Sequence, residues 1–305
     1  MTASLPDLWI IVTLAAAAFQ TLRFMLQKHL AAATLSAAGA TFSRFIYSLP
    51  LIWLLLAVLL AGSGQALPAT NAAFWVYGLA GATAQILATV CVVLLFKQRN
   101  FAVGITFKKT EVIQTVLVGW LVLGEGVTTS GFAAIALGIG GLLLLSGEAG
   151  VKGFRVGHLG NRAAALGIAS GVLFAISAVS YRGASLALDA DDPVLRATVT
   201  LAAVVGMQTA LMVVWLRLRE PGQIGAVWAA RRVAVWIGLT SMGGSLCWFI
   251  AFTLQNAAYV KALGQIELIL SIAASTLFFR ETIRPREWAG MAVLVASIVM
   301  LVLVT

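Results

Sequence analysis

The chain has 305 residues, of which 61% are hydrophobic and only 10% are charged, and its formal net charge is +9. A soluble domain carries about 25% charged residues. This chain therefore lacks the polar surface to cover a globule and must face lipid. Its basic residues form no face with interleaved aromatic side chains, which disfavours nucleic-acid binding. We interpret them as loop charge that orients a membrane protein.

Disulfide, metal and cofactor chemistry are not expected. Cys91 and Cys247 lie inside apolar runs, where isolated thiols usually serve as small packing residues. Two cysteines are too few for a disulfide framework, and His29 and His158 lie far apart in the sequence. The first apolar run exceeds the core of a signal peptide and has no basic segment before it, so we predict that it is a retained span.

Apolar runs of about 20 residues, long enough to cross the hydrocarbon core, recur along the chain. They predict an all-α membrane protein with about ten transmembrane helices. A Gly-rich polar linker at 148–162 separates two halves, 1–147 and 163–305. The predicted spans are 7–28, 38–61, 73–96, 101–124 and 129–147 in the first half, and 163–186, 194–217, 233–254, 259–279 and 287–304 in the second.

The two halves resemble each other after a shift of 156 positions. Scarce residue types then coincide without a gap, which indicates a duplicated unit. Because five spans is an odd number, the second copy must enter the membrane in the opposite orientation, and we predict two inverted five-helix repeats. The coincident pairs include Cys91 with Cys247, Asn100 with Asn256, Glu111 with Glu267, and Glu125 with Glu281.

Loop charge agrees with this inversion. Cytoplasmic loops retain Lys and Arg, and here the basic residues fall in the loops that follow spans one, three, five, seven and nine. The loop between spans six and seven is instead acidic, with Asp189, Asp191 and Asp192. We therefore predict a multi-pass protein of the cytoplasmic (inner) membrane with both termini on the outer side.

Two glutamate pairs have the same spacing. Glu111 and Glu125 lie 14 residues apart, as do Glu267 and Glu281, and each pair brackets one apolar span. Together with ten spans and a duplication, this spacing resembles the EamA-type transporters of the drug/metabolite transporter superfamily. The resemblance covers both halves of the chain. It implies a transporter rather than an enzyme, in a family that includes exporters and importers of amino acids, sugars, nucleotides and drugs.

The family pattern is kept in part. The fourth and ninth spans of the family often read as Glu-Pro, an apolar stretch, then Gly-Glu. The second element survives as LGE at 123–125 and FRE at 279–281. Val112 and Leu268 occupy the positions where the family often has proline. Many relatives keep their termini in the cytoplasm, whereas the loop charge of this chain predicts the reverse.

Polar side chains inside spans are expected to face the bundle interior or a wet cavity. Gln20, Arg23 and Gln27 share one face of the first span, because residues at i, i+3 and i+7 align on a helix. We predict that substrate contacts come from such residues in both halves. The predicted substrate-binding residues are Gln20, Arg23, Arg44, Gln85, Lys108, Lys109, Glu111, Gln114, Trp248, Lys261 and Gln265.

Several of these residues also have a structural interpretation. Lys108 and Glu111 form a plain intrahelical ion pair in one alternative. Arg44 and Lys261 lie near the ends of their predicted helices, where long side chains snorkel to the interface.

Other polar residues are better explained by structure alone. Glu125 and Glu281 stand at helix ends. Asn100 and Asn256 precede spans four and nine, where they are expected to act as N-caps.

The excess of cations over carboxylates in the spans favours an anionic or zwitterionic ligand. Two carboxylates are candidates for proton coupling. Glu111 has Lys108 one turn before it, which suits a gate or ligand contact, whereas Glu267 has no basic residue three or four positions away. We therefore assign any coupled proton to Glu267 in preference to Glu111. On helix nine Glu267 lies about 200° from Gln265, so the two side chains cannot both point into one cavity. We expect Glu267 to face the centre because it pairs with Glu111 in the repeat.

We interpret the chain as a secondary transporter that moves a small polar metabolite by alternating access, coupled to protons or to exchange. No P-loop motif is present in the sequence. The alternative is an intramembrane enzyme acting on a lipid-linked substrate, which would need a nucleophile–base pair or a metal cluster. The expected partners are a small-molecule metabolite and the lipid bilayer, with no signal that specifies an oligomeric state.

Overall fold

The computed structural model describes residues 5–33, 35–96, 108–145, 162–270, 272–273 and 285–305, with the side chains of all these except 5–7, 24–25, 27–33 and 96. Every regular element in these ranges is helical. The helices are α1 Leu5–Ala33, α2 Ala37–Ser63, α3 Ala72–Phe96, α4 Glu111–Leu123, α5 Thr129–Leu145, α6 Arg162–Leu186, α7 Pro193–Arg219, α8 Gly222–Ala229, α9 Arg231–Leu254, α10 Ala257–Leu263 and α11 Pro285–Val304.

Six described helices, namely α2, α3, α6, α7, α9 and α11, are long and apolar enough to cross a membrane. They confirm six of the predicted spans and the prediction of an all-α membrane protein. Large apolar side chains on the outside, such as Leu54, Leu121 and Leu218, are 64%, 72% and 76% exposed. Such exposure is expected of a surface that lies against lipid. Helix α8 lies in a segment predicted as a loop.

The fourth and ninth predicted spans are not continuous helices. A turn at Lys109 and Thr110 precedes α4, which begins at Glu111. In the second half α10 ends at Leu263, and a 3-10 turn at Gly264–Ile266 leads into Glu267. Both interruptions therefore stand directly before the paired glutamates, although neither contains proline.

Several predictions fall outside the described part of the chain. These concern Asn100, Glu281, the side chain of Gln27 and the linker up to residue 161. The second N-cap is described and is confirmed, because the side chain of Asn256 accepts a hydrogen bond from the Ala258 amide at 2.8 Å.

Helices from the two ends of the sequence pack in pairs. The most extensive contacts join α3 with α6, α1 with α9, α5 with α11, and α2 with α7. The largest apolar cluster draws on α6, α7, α9 and α10, with fully buried Tyr181, Leu201 and Leu263 among its members. This packing places α1, α2, α3, α6, α9 and α10 around a common centre.

Helices α5 and α11 approach each other through their backbones. A Cβ atom on Gly141 would lie 2.8 Å from the Leu294 amide nitrogen and 3.0 Å from the Gly290 carbonyl oxygen. A Cβ on Gly290 would lie 2.9 Å from the Leu145 nitrogen. Small residues permit such close approach between helices in a membrane.

Candidate functional site

A small cavity of about 30 Å³ lies at the centre of the helices. Six of its lining residues were predicted from the sequence as binding residues. Seven further lining residues, four of them aromatic, were not. The predicted ones are Gln20, Arg23, Arg44, Gln85, Trp248 and Lys261, and the others are Phe174, Ser177, Ala178, Tyr181, Ser245, Phe249 and Phe252.

Arg44 is buried, at 3% exposure, and is held by hydroxyl groups. Its Nε donates to Ser241 Oγ at 2.7 Å, and a second nitrogen donates to Ser245 Oγ at 3.2 Å. The third contact, to Thr89 Oγ1, is longer at 3.5 Å. Among the described residues its hydrogen-bond partners include no carboxylate. Snorkelling to the interface, the structural alternative for Arg44, is therefore wrong.

Arg23 is the second arginine of the cavity wall. It is 4% exposed and lies on α1, where its charge interacts with those of Arg44 and Glu267. Two guanidinium groups thus face one buried space. Such a pair is costly without an anion nearby, since like charges repel strongly where water is scarce.

Three lysines and two glutamates form a buried cluster beside the cavity. Glu111 lies between two lysines, with Lys108 Nζ at 3.6 Å and Lys261 Nζ at 3.7 Å from its carboxylate oxygens. Lys109 Nζ lies 4.0 Å from Glu267 Oε2. The ion pair of Lys108 with Glu111, one of the two alternatives, is therefore present but belongs to a larger network.

Lys261 occupies an aromatic cage. Its Nζ lies 5.2, 5.5 and 5.9 Å from the ring centres of Trp248, Phe174 and Phe252. Aromatic faces attract cations at these distances. Lys261 is only 9% exposed, so the expectation that it snorkels is wrong. Lys261 lies near the end of α10 and Glu111 at the start of α4, and the packing of these two helices brings the side chains together. The sequence of either helix alone does not predict this contact.

Glu267 is connected to the cavity wall through Gln20. Gln20 Nε2 donates to Glu267 Oε2 at 2.6 Å, and Trp248 Nε1 donates to Gln20 Oε1 at 3.2 Å. Glu267 has no basic residue three or four positions away on its own helix, but Lys109 reaches it from another helix. A search limited to its own helix misses that contact.

A polar network on the opposite wall was only partly predicted. Gln85 Oε1 accepts from Gln208 Nε2 at 2.8 Å and from the Tyr181 hydroxyl at 3.1 Å. The Tyr181 hydroxyl also lies 2.9 Å from the Gly81 carbonyl oxygen, so its single proton has two neighbouring acceptors. Gln208 was not predicted as a site residue, although it is an amide side chain in the middle of the apolar helix α7. That position in the sequence could have identified it, and the structure shows that it is buried, at 1% exposure.

Five predicted substrate-binding residues do not line the central cavity, and two of them, Lys108 and Glu111, lie in the buried cluster beside it. Lys109 and Gln265 line a smaller cavity of about 10 Å³ against α5 and α11. Gln114 Nε2 donates to Thr110 Oγ1 at 3.0 Å instead. Glu267 meets Gln20 of the central cavity, whereas Gln265 lines the other space, as the angular separation of the two side chains predicts.

Arg182 joins several elements at one end of the cavity. Its Nε lies 2.7 and 2.8 Å from the two carboxylate oxygens of Glu125, just beyond α4. Another nitrogen donates to the carbonyl oxygens of Phe252 at 2.7 Å and Gln255 at 2.9 Å, at the end of α9. The structural interpretation of Glu125 thus gains a named partner, which sequence reasoning missed. We call Arg182 and Glu125 the ionic latch.

The opposite end is closed by a different set of contacts. Ser36, the N-cap of α2, donates through Oγ to Glu220 Oε2. Its backbone amide donates to Gln223 Oε1 at 3.0 Å. The Tyr47 hydroxyl donates to the Val227 carbonyl at 3.1 Å. Both ends of the cavity are therefore bridged between the two halves of the sequence.

Buried ion pairs and an internal polar cavity in a multi-pass helical membrane protein are typical of membrane transport proteins. A model of the EamA-like transporter family matches residues 161–303. The match spans the second half of the chain and confirms the resemblance to the EamA-type transporters of the drug/metabolite transporter superfamily.

Solved structures agree with this fold. The fold matches 26 chains of solved structures. One of them, a crystal structure, aligns with 100% of this chain and 97% of its own chain, with a TM-score of 0.72 and 17% sequence identity. That identity supports a common fold only. No curated protein matches the chain in sequence.

Proposed function

We propose that the chain is a secondary transporter that moves a small anionic or zwitterionic metabolite through the central cavity by alternating access. The observation that carries this proposal is the cavity itself, a buried polar space with two arginines in its wall inside a membrane protein. Intramembrane charges normally mark a substrate or ion pathway.

Two inverted five-helix repeats are proposed as the moving parts. Helix α7 begins at Pro193, 156 positions after Ala37 of α2, and ends at Arg219, 156 positions after Ser63. The helix pairs support a two-fold relationship. In the proposed repeat α1 is equivalent to α6, α3 to α9, α2 to α7, and α5 to α11. The contact of α1 with α9 is then equivalent to the contact of α6 with α3, and the contacts of α2 with α7 and of α5 with α11 each map onto themselves.

The anionic character of the ligand is supported by the balance of charge. The described centre contains five cations, Arg23, Arg44, Lys108, Lys109 and Lys261, and two carboxylates, Glu111 and Glu267. Both carboxylates are already engaged by lysines. The two arginines line the cavity, and a planar guanidinium matches the geometry of a carboxylate or phosphate.

Alternating access needs a barrier at each end that opens in turn. We assign the ionic latch to the outer barrier and the contacts of Ser36 to the cytoplasmic one. The assignment follows loop charge, because Arg217 and Arg219 lie beside the second barrier, whereas acidic Asp189 follows the helix that carries Arg182.

Proton coupling remains assigned to Glu267. In the described structure one lysine approaches Glu267 and two approach Glu111, so Glu267 has less compensating charge. Its hydrogen bond with Gln20 also ties it to the cavity wall, so that a change at Glu267 would reach Trp248. This chain of contacts offers a route between protonation and substrate binding.

The experiment is uptake of a labelled metabolite pool by proteoliposomes containing the purified full-length protein, with analysis of the products. We expect accumulation of chemically unchanged anions or zwitterions. Conversion of the substrate would instead support the alternative, an intramembrane enzyme acting on a lipid-linked substrate. Exclusive uptake of cations would contradict the assigned role of Arg23 and Arg44.

A further inference from the structure

A second, larger hollow lies away from the central cavity, on the lipid side of α2, α3 and α7. Its volume is about 270 Å³ and its lining is almost entirely apolar. We call it the lateral groove. It is lined by Ala38, Thr83, Ile86, Leu87, Val90, Leu211, Met212 and Trp215.

The lateral groove has a buried floor and open rims. Ala38 and Met212 are 4% and 3% exposed, whereas Leu87 and Trp215 are 49% and 45% exposed. On α3 it extends from Thr83 to Val90, about 10 Å at a rise of 1.5 Å per residue. A space of this shape fits part of an acyl chain.

One end of the lateral groove carries a positive charge. Leu211, Trp215 and Arg219 stand at i, i+4 and i+8 on α7, so Arg219 continues the stripe that lines the groove. Side chains on a helix lean towards its N-terminus, which favours a place for the Arg219 guanidinium over the turn that carries Trp215. Arg219 is exposed, and no described carboxylate forms an ion pair with it.

Tryptophans mark this end as the level of the membrane interface. Trp215 and Trp228 are 45% and 66% exposed, and both lie within a few residues of exposed arginines. Tryptophan concentrates at the headgroup level, and Lys and Arg concentrate in cytoplasmic loops. The same end faces the leaflet in which anionic lipids attract basic residues.

We propose that the lateral groove binds an anionic phospholipid, with one acyl chain between α3 and α7 and the headgroup phosphate on Arg219. The apolar lining would hold the acyl chain, and Arg219, the basic residue that continues the lining stripe of α7, would give the preference for an anionic headgroup. The site is separate from the central cavity, so this proposal does not depend on the transported substrate.

The test is native mass spectrometry of the detergent-purified full-length protein with phosphatidylglycerol and with phosphatidylcholine of the same acyl chains. We expect phosphatidylglycerol to bind about fivefold more tightly, the effect of one basic residue near an anionic headgroup. Glycerol 3-phosphate alone should not compete, because it lacks the chain. Equal binding of the two lipids would overturn the proposal.

Two variants separate the chain site from the charge. Arg219→Gln should reduce phosphatidylglycerol binding to the level of phosphatidylcholine. Arg217→Gln is the matched control, because it removes the same charge two residues beyond Trp215, on the other side of α7. Thr83→Trp should fill the groove and weaken binding of both lipids, and Thr83 is exposed, so folding tolerates the change. An equal effect of Arg217→Gln, or none of Thr83→Trp, would refute the site.

Discussion

Arg182 and Glu125 form a side-on ion pair in which Nε of the arginine lies within 2.8 Å of both carboxylate oxygens. The pair joins the two halves of the chain at one end of the cavity. The shift of 156 positions places Leu26 opposite Arg182, so the first half has no equivalent arginine. The two ends of the cavity are therefore closed by different chemistry.

Arg182→Gln should favour opening at the outer end. A hydrogen bond to a charged group contributes about 1.5–3 kcal/mol, so we expect labelling of a cavity cysteine, Ser177→Cys, to accelerate about tenfold or more. The measurement is modification by an impermeant maleimide from outside, in a background without Cys91 and Cys247. Arg232→Gln, which removes an exposed arginine at the start of α9, is the control. Unchanged labelling would mean that the ionic latch is not a barrier.

Arg23→Ala should weaken binding of the transported anion by at least about tenfold, because a charge-assisted contact to the ligand is lost. Expression and thermal stability should change little. The measurements are ligand affinity and melting temperature of the purified protein, with Arg232→Ala as the matched loss of charge. Wild-type affinity in Arg23→Ala would remove α1 from the anion site, and failure to fold would assign Arg23 a structural role.

Glu267→Gln should uncouple transport from a pH gradient while substrate exchange persists. Glu111→Gln should impair both, because it removes the carboxylate between Lys108 and Lys261. The two variants make the same chemical change at positions related by the proposed repeat. Proteoliposome uptake with and without an imposed gradient distinguishes them. Gradient-driven uptake that survives in Glu267→Gln would end the assignment of the proton to this residue.

Gly264→Ala should disturb the cavity wall. The added Cβ would meet the Trp248 ring, which packs directly over Gly264. Overpacking costs about 1–3 kcal/mol, so we expect a lower melting temperature and weaker ligand binding. Gly206→Ala is the control, since nothing lies within 4 Å of a Cβ there. Adding Trp248→Phe to Gly264→Ala should restore stability, and absence of that rescue would count against the contact.

The orientation can be tested with single cysteines in the same cysteine-free background. Asp191→Cys, in the acidic loop, should label from outside intact cells. Gly225→Cys, in α8 among the arginines, should label only after permeabilisation. Both positions are exposed, so access to reagent depends on the side of the membrane. The reverse pattern would overturn the predicted orientation and leave the repeat unaffected.

Apolar runs and intramembrane charges were sufficient to predict the helical class and six wall residues of the cavity. A polar side chain inside a span must face protein or water, which restricts where Arg23 or Gln85 can point. Tyr181, Phe174 and Ser245 were missed because such residues are ordinary in apolar helices. Their role depends on which helices pair.

Contacts between helices explain the remaining errors. Lys109 approaches Glu267 across 158 positions of sequence, and Lys261 approaches Glu111 across 150. A comparison of residues one turn apart on a single helix cannot detect either of these contacts between helices. The interruptions before Glu111 and Glu267 were also not foreseen, since neither has proline, the residue that most often signals a break.

The contact between Gly141 and Gly290 has a mechanical consequence. Backbone atoms of α5 and α11 touch there, and any side chain would force the helices apart. Two helices in such close contact behave as one rigid unit, which we call the post, and this unit joins one half of the chain to the other. Motion of the halves would then have to be a rotation about that post, because sliding along it would drive the side chains of one helix into the backbone of its neighbour.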